Sequence, residues 1–347
     1  MAFCPDCGAI YNQTFDPAIL SYDNKYDNSL HYSPSFRRYA EELADKLIAR
    51  FDLHGKDIVE VGCGKGEFLA LLCSRGGNRG LGFDPTYEQG RVDTSAGRGF
   101  RVICDLYSQT YADQPADFVC CRHVLEHVFD PREFLGDIRR AINHRKNCAV
   151  FFEVPNGRFT LCSAGMWDVI YEHCFYYTST SLARLFASCG FDVEQVYETF
   201  AGQYLCLEAK PPGEGTNAEY AHFNNELAAL SSAVDLFKDS YRQLIAEWRH
   251  EFRVLRQQGK RVVLWGAGAK GATFLNTLRD VASIEYVVDV NPHKHHRFVP
   301  GTGQQVVAPE FLREYRPDLI IVANSIYEAE IRQAVNDLGL TPEFRLV

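Results

Sequence analysis

Residues 57–69 read DIVEVGCGKGEFL, an apolar run that breaks into a glycine-rich turn and restarts with helical spacing. Ile58, Val59 and Val61 have the pattern of a buried strand, Gly62, Gly64 and Gly66 that of a turn, and Phe68, Leu69, Leu71 and Leu72 that of a helix face. Glycine there lets a ligand lie on the backbone beside the N–H groups that open a helix, so the stretch reads as a nucleotide cradle. Phosphate loops, dinucleotide folds and adenosyl-cofactor folds all use such a turn. Three surrounding features narrow the choice. Lys65 has no neighbouring Ser or Thr hydroxyl for a magnesium ion, which disfavours a triphosphate loop. Glu60, two residues before the first glycine, can face the cationic end of a ligand. A second strand, residues 80–83, ends in Asp84, about 20 residues beyond the turn, the interval at which an acid reaches ribose hydroxyls. A third, residues 100–104, ends in Asp105, placed to accept from an adenine amino group. Acids at three successive strand ends fit S-adenosylmethionine better than NAD.

The stretches EVGCGKG, GFDP, VICDL and HVLEHV resemble the motifs of class I S-adenosylmethionine-dependent methyltransferases. With CPDCG at the start, WDVIYEHCFYY in the middle, and WGAGAKG and VVDVNP near the end, the whole chain is similar to the three-part sugar C-methyltransferase family, which acts on nucleotide-linked deoxysugars. The fold class expected is α/β: two doubly wound Rossmann-like domains joined by a long helical segment, preceded by a short irregular flap. The flap spans residues 1–38, the methyltransferase domain 39–212, the helical segment 213–258 and the smaller C-terminal domain 259–347. S-adenosyl-L-methionine is the expected cofactor, held by Glu60, Gly62, Gly64, Asp84, Asp105, Leu106 and His123. The expected partner is a small molecule, a nucleotide diphosphate sugar, with one active site in the cleft between the domains.

The 347 residues suit two or three domains, and 46% hydrophobic with 23% charged residues is ordinary for a globular protein. A net charge of −9 argues against a general nucleic-acid binder, which needs a basic face. No apolar run approaches a membrane span and residues 1–15 carry no signal-peptide pattern, so no membrane partner and a cytoplasmic location are expected, as monomer or homodimer. Twelve cysteines scattered through strands and helices read as reduced and mostly buried. Cys4 and Cys7, followed by Gly8, look like half of a zinc ribbon. A closed zinc site wants four ligands, and the resemblance places a further pair ahead of this one, so the site is incomplete; a bound zinc and a vestigial turn are both open readings, and no metal ligands are assigned. The aromatic segment that follows can cover a pocket, and the resemblance implies Tyr26 near the sugar.

A fourth strand, residues 116–121, runs into RHVLEHV, putting Arg122, His123, Glu126 and His127 at the carboxyl end of a parallel strand, where open α/β sheets react. His127 can reach the side of the pocket where the methyl is transferred. In WDVIYEHCFYY, Tyr171, Glu172, His173, Tyr176 and Tyr177 put a base, an acid and several phenols in one segment. The donor is a sulfonium that leaves without help, so the protein supplies position and, for a carbon acceptor, a base and a stabiliser for the enolate. The related enzymes read Tyr-His-Glu-His where this chain has Tyr171-Glu172-His173-Cys174, so the second histidine falls on Cys174. Either His173 takes over as base or the acceptor is not a carbon acid; His173 is the expected base. A structural role, with Glu172 and His173 pinning a helix entry, competes with this. Residues 193–197 and 204–209 complete the sheet as an antiparallel pair.

Apolar residues recur at near-heptad steps from Tyr220 through Leu230, Phe237, Trp248 and Leu255, predicting a long helix, or two in line, that braces the domains or pairs with its copy; the aromatics favour the brace. After a strand at 260–264, Gly266, Gly268 and Gly271, a helix and a second strand at 286–288 ending in Asp289 complete a dinucleotide fingerprint, so an NAD-binding redox module is a competing reading. Against it, NPHKHHRFVPGTG crowds His293, Lys294, His295, His296 and Arg297 where adenine would lie. Only one further clear strand, residues 319–323, follows. The resemblance implies a domain of dinucleotide shape without the redox cofactor that helps hold the nucleotide sugar; Lys270, Lys294 and Arg297 are expected to bind that substrate alongside Tyr26 and Tyr176, with a solvated turn as the competing reading of the basic cluster. The remaining alternative is an O- or N-methyltransferase of a sugar or related metabolite.

Overall fold

A computed structural model describes residues 1–19, 29–90, 99–142, 145, 147–162, 165–212 and 225–347. Tyr26, Tyr220 and Phe223 lie outside the described residues. The chain divides into two compact units: Met1–Tyr26, Arg38–Phe159 and Tyr171–Val234 form the first, and Asp27–Arg37, Thr160–Ile170 and Asp235–Val347 the second.

In chain order, the first unit opens with β1 (Ala2–Phe3) and β2 (Ile10–Tyr11), then α1 (Pro34–Phe51), β3 (Asp57–Val61), α2 (Glu67–Gly76), β4 (Arg79–Phe83) and β5 (Phe100–Ile103). There follow β6 (Phe118–Arg122), α3 (Pro131–Ala141), β7 (Ala149–Pro155), α4 (Gly157–Cys162), β8 (Phe175–Tyr176), α5 (Ser179–Ser188), β9 (Asp192–Thr199) and β10 (Tyr204–Lys210). The main sheet has the order β5-β4-β3-β6-β7-β10-β9. Its first five strands are parallel, while β10 runs antiparallel to both β7 and β9. Strands buried on both faces need continuous apolar runs, and VFFEV in β7 and LCLEA in β10 supply them apart from one glutamate each. Val59, Phe83, Val119, Phe152 and Leu205 share one core with Leu182 and Phe186 of α5. That helix starts with a capping box between Thr178 and Ser181, which satisfies N–H groups its first turn leaves open.

The flap is more regular than its sequence suggests. β1, β2 and β8 form a three-stranded antiparallel sheet, with Ile10 opposite Tyr176 and Tyr11 opposite Phe175. The turn between β1 and β2 carries Cys4 and Cys7 and closes with Gly8 N–H donating to the Cys4 carbonyl at 2.9 Å, Gly8 standing at φ 75°.

Boundaries between the units fall inside α1 and α4, and α6 (Asn225–Gln257) likewise runs from the first unit into the second. In the second, β11 (Val262–Trp265), α7 (Ala269–Thr277), β12 (Tyr286–Val288), β13 (Gln305–Val307), α8 (Leu312–Tyr315), β14 (Leu319–Val322), α9 (Glu328–Asp337) and β15 (Glu343–Leu346) follow. The sheet order is β13-β12-β11-β14-β15, all parallel, so two strands join the three visible in the sequence. Val263, Val288, Val307 and Ile320 form its core with Ile331 and Val335 of α9. Trp248 and Phe252 of α6 pack on Phe274 of α7, with ring centroids 5.0 and 5.9 Å apart. Among the described residues, no helix is long and apolar enough to cross a membrane.

Candidate active site

The turn after β3 is built as a cradle, but most of its N–H groups are already spent inside the protein. Gly62 and Cys63 donate to the Phe83 carbonyl at 2.8 and 3.1 Å, Gly66 to Cys63 at 2.8 Å, and Gly64 to Asp84 Oδ2 at 2.8 Å. The bonded N–H groups belong to the turn itself and precede α2, which opens at Glu67; what the turn offers is room. A Cβ on Gly64 would meet nothing within 4 Å, whereas one on Gly62 would lie 2.1 Å from Val124 Cγ2. Asp84 is the turn's anchor, its Oδ1 accepting from the N–H and hydroxyl of Thr86 at 2.8 and 2.7 Å. Lys65 is buried and donates to the Thr86 carbonyl, which removes it from phosphate binding. At the third strand end, Asp105 accepts from Leu106 N–H at 2.8 Å and Tyr111 hydroxyl at 2.6 Å. The Leu106 side chain is 68% exposed, an apolar surface beside that acid.

Glu60 is the member of this group that most needs a partner. It is buried, its Oε2 has no hydrogen-bond partner, and burial pushes its carboxyl up to about 8, against the pull of Arg122. An ammonium group brought to that oxygen would ionise the carboxyl and release its proton, as linkage requires. The donor set therefore fits the methionine end of S-adenosylmethionine. Titrating S-adenosylhomocysteine at pH 7 in buffers of different ionisation enthalpy is expected to show close to one proton released, and none in Glu60→Gln; the buffer dependence of the binding heat measures it.

Beside the cradle lies a charge network that the motifs did not reveal. Glu153, in the middle of β7, is fully buried, with Arg122 Nη2 2.8 Å and His123 Nε2 2.7 Å from its Oε1. The histidine contact lies off the N–H direction and acts as charge attraction. Tyr39 of α1 donates to Glu153 Oε2, and its oxygen also lies 2.9 Å from Thr199 Oγ1. Burial alone would raise the Glu153 carboxyl, but the Arg122 and His123 charges hold it down to about 2. For His123 burial works the other way and is outweighed by Glu126 and Glu153, which bring the imidazole up to about 9. His123 stands at φ 53°, a conformation that costs a non-glycine residue about 1–3 kcal/mol and that the network must hold.

The turn after β6 brings Glu126 and His127 against His173. The His127 and His173 rings meet edge to face, centroids 4.8 Å apart, and His173 lies 5.7 Å from the Tyr176 ring. His127 Nδ1 is 3.1 Å from the Glu172 carbonyl, which can only accept, so Nδ1 carries a proton and, in the neutral ring, Nε2 is the nitrogen with the lone pair. Burial lowers the His173 imidazole to about 3, more strongly than Glu126 can offset. Burial pushes the Glu126 carboxyl up, but the surrounding His123, His127 and His173 imidazoles together pull it further down, so it is held below the usual carboxylate range. Cys174 fixes the spacing, its N–H donating to the Glu126 carbonyl at 2.7 Å and its thiol to the His127 carbonyl at 3.3 Å. Tyr171 goes elsewhere. Its hydroxyl accepts from Asp16 N–H at 3.2 Å and donates to the Thr14 carbonyl at 3.3 Å, so it ties down the N-terminal segment rather than joining the histidines. Glu172 contributes through its carbonyl.

The second unit repeats the cradle's wiring. Ala267 N–H donates to Asp289 Oδ2 at 2.8 Å and Asn291 N–H to Oδ1 at 2.8 Å, matching Gly64 and Thr86 on Asp84. Asp289 thus anchors its turn as Asp84 does, with Lys294 Nζ 3.4 Å from its Oδ2. Lys270 pairs with Asp168 Oδ1 at 2.9 Å, and Arg297 is exposed.

Comparison with known proteins bears on both units. Residues 36–196 match a family model described as a methyltransferase domain, and residues 218–339 one described as a C-methyltransferase C-terminal domain. No curated protein matches the chain. Among solved structures, a 1,6-didemethyltoxoflavin-N1-methyltransferase from Burkholderia thailandensis with bound S-adenosylhomocysteine is 15% identical, covering 52% of this chain and 82% of its own, with a TM-score of 0.40. A magnesium protoporphyrin IX methyltransferase from Synechocystis PCC 6803, also with bound S-adenosylhomocysteine, is 16% identical over 55% and 91%, TM-score 0.38. An S-adenosylmethionine-dependent methyltransferase from Archaeoglobus fulgidus is 19% identical over 53% and 100%, TM-score 0.39.

Proposed function

Because the chain is an S-adenosylmethionine-dependent methyltransferase with a C-methyltransferase C-terminal domain, we propose that it methylates a carbon of a nucleotide-linked keto-deoxysugar, with His127 as the base. The observation that carries the reading is the His127 tautomer, fixed by the Glu172 carbonyl with the lone pair on Nε2. S-adenosylmethionine supplies a methyl group on a sulfonium that needs no acid to leave. The protein's task is to take a proton from the carbon beside the keto group and hold the resulting enolate in line. A base works best when its conjugate acid titrates near the working pH, which disfavours His173, lowered to about 3. His127 therefore takes the proton in this proposal, and the ionised Glu126 close by stabilises the imidazolium that forms. His173 keeps the His127 ring in place. Glu60 and Asp84 position the donor, and the Leu106 side chain covers its adenine.

A hydroxyl acceptor could give its proton to the same base, so the product decides between carbon and oxygen. With a donor labelled at its methyl carbon and a nucleoside diphosphate keto-deoxysugar as acceptor, carbon NMR is expected to show the label bonded to carbon. A label bonded only to oxygen or nitrogen would replace this proposal with the O- or N-methyltransferase reading.

A further inference from the structure

Glu126, His127 and His173 each place one ligand-competent atom within 4.8 Å of the others. Two features set this cluster apart from an ordinary buried polar patch. Glu126 Oε2 and His173 Nδ1 are buried with no hydrogen-bond partner, on residues only 2% and 6% exposed. A buried polar atom left without a partner is costly, so two in one cluster point to a partner that binds both. The second feature is His127, whose Nδ1–H is held by a backbone carbonyl while Nε2 keeps its lone pair. Metal-ligating histidines are held in this way, by a second contact that fixes tautomer and ring direction.

We propose that Glu126, His127 and His173 bind one divalent transition-metal ion of the zinc class. Two imidazoles and a carboxylate are the donors of open zinc sites, and they are too rich in nitrogen for magnesium or calcium. The backbone is set for the purpose: Cys174 bonds to the carbonyls of both Glu126 and His127, so the two segments cannot drift apart. Bonds of about 2 Å need donor atoms roughly 3–4 Å apart, so the side chains must close by about 1 Å, within reach of small rotations. Cys4 and Cys7 are not part of this cluster. The site goes beyond the proposed reaction and does not depend on the acceptor. An ion on His127 Nε2 and a substrate proton on the same lone pair exclude each other, so the metal-loaded and base forms are alternative states of one centre.

Cobalt(II) titrated into the chelator-dialysed full chain is the probe, because its visible bands report nitrogen and oxygen ligands. The bands are expected to saturate at one cobalt per chain, to vanish on adding zinc, and to persist in the Cys4→Ser/Cys7→Ser variant. His173→Gln is expected to weaken binding more than tenfold. Bands lost with the two cysteines, or unchanged affinity in His173→Gln, would overturn the site. S-adenosylhomocysteine binding, measured in the same samples, reports folding and the donor site separately. Should His173→Gln fail to fold, zinc on the wild-type chain is expected to protect His127 and His173 from diethyl pyrocarbonate, and equal labelling with and without zinc would overturn the proposal.

Discussion

Glu153→Ala is expected to destabilise the first unit by about 3–5 kcal/mol, because it leaves Arg122 buried without its counter-charge. Denaturant unfolding of the variant measures this directly. The cost falls on the unpaired ion rather than on a lost attraction, so a double variant that also replaces Arg122 with Met should recover much of the stability. The pH dependence has a definite sign. The folded-state Glu153 carboxyl is held down to about 2 from an ordinary value of 4.5, so its contribution is present above 4.5 and is lost as the pH falls through 2. Wild type is therefore expected to lose stability across that window more steeply than Glu153→Ala.

The second large effect is on turnover. His127→Ala is expected to lower the rate of methyl transfer about 10²–10⁴-fold, the range for removing a general base, with S-adenosylhomocysteine affinity unchanged. His173→Ala should cost less, since its imidazole, lowered to about 3, supports the His127 ring rather than taking the proton. Equal losses in the two variants would mean that the pair acts as a unit. A larger loss in His173→Ala would return the base to the residue first expected from sequence.

What could be read from sequence followed periodicity and punctuation. The cradle was legible because an apolar run, glycines at positive φ and an acid about 20 residues on are local signals; β12 was legible for the same reason. β13 and β15 were not. One is three residues long, and the other, EFRL, is half charged and largely exposed. The charge network was missed because its partners, Tyr39, Arg122 and Glu153, are joined only by folding. A signal for it was nonetheless present: a glutamate inside the apolar run VFFEV cannot be buried unpaired. The same argument applies to Glu208 in LCLEA, which is buried and accepts from Arg50 and Tyr197. Tyr171 could not be placed by type alone, because a phenol that ties down the N-terminal segment and one that lines a pocket look alike in sequence.

The central claim, that His127 takes a proton from carbon before the methyl moves, can be tested without turnover. The chain is saturated with S-adenosylhomocysteine in deuterated water, a nucleoside diphosphate keto-deoxysugar is added, and proton NMR follows the hydrogen beside the keto group. The account predicts exchange of that hydrogen for deuterium by the wild-type chain and its loss in His127→Ala. Methylation of the same sugar by a wild-type chain that leaves this hydrogen unexchanged, with the label found on oxygen, would contradict it.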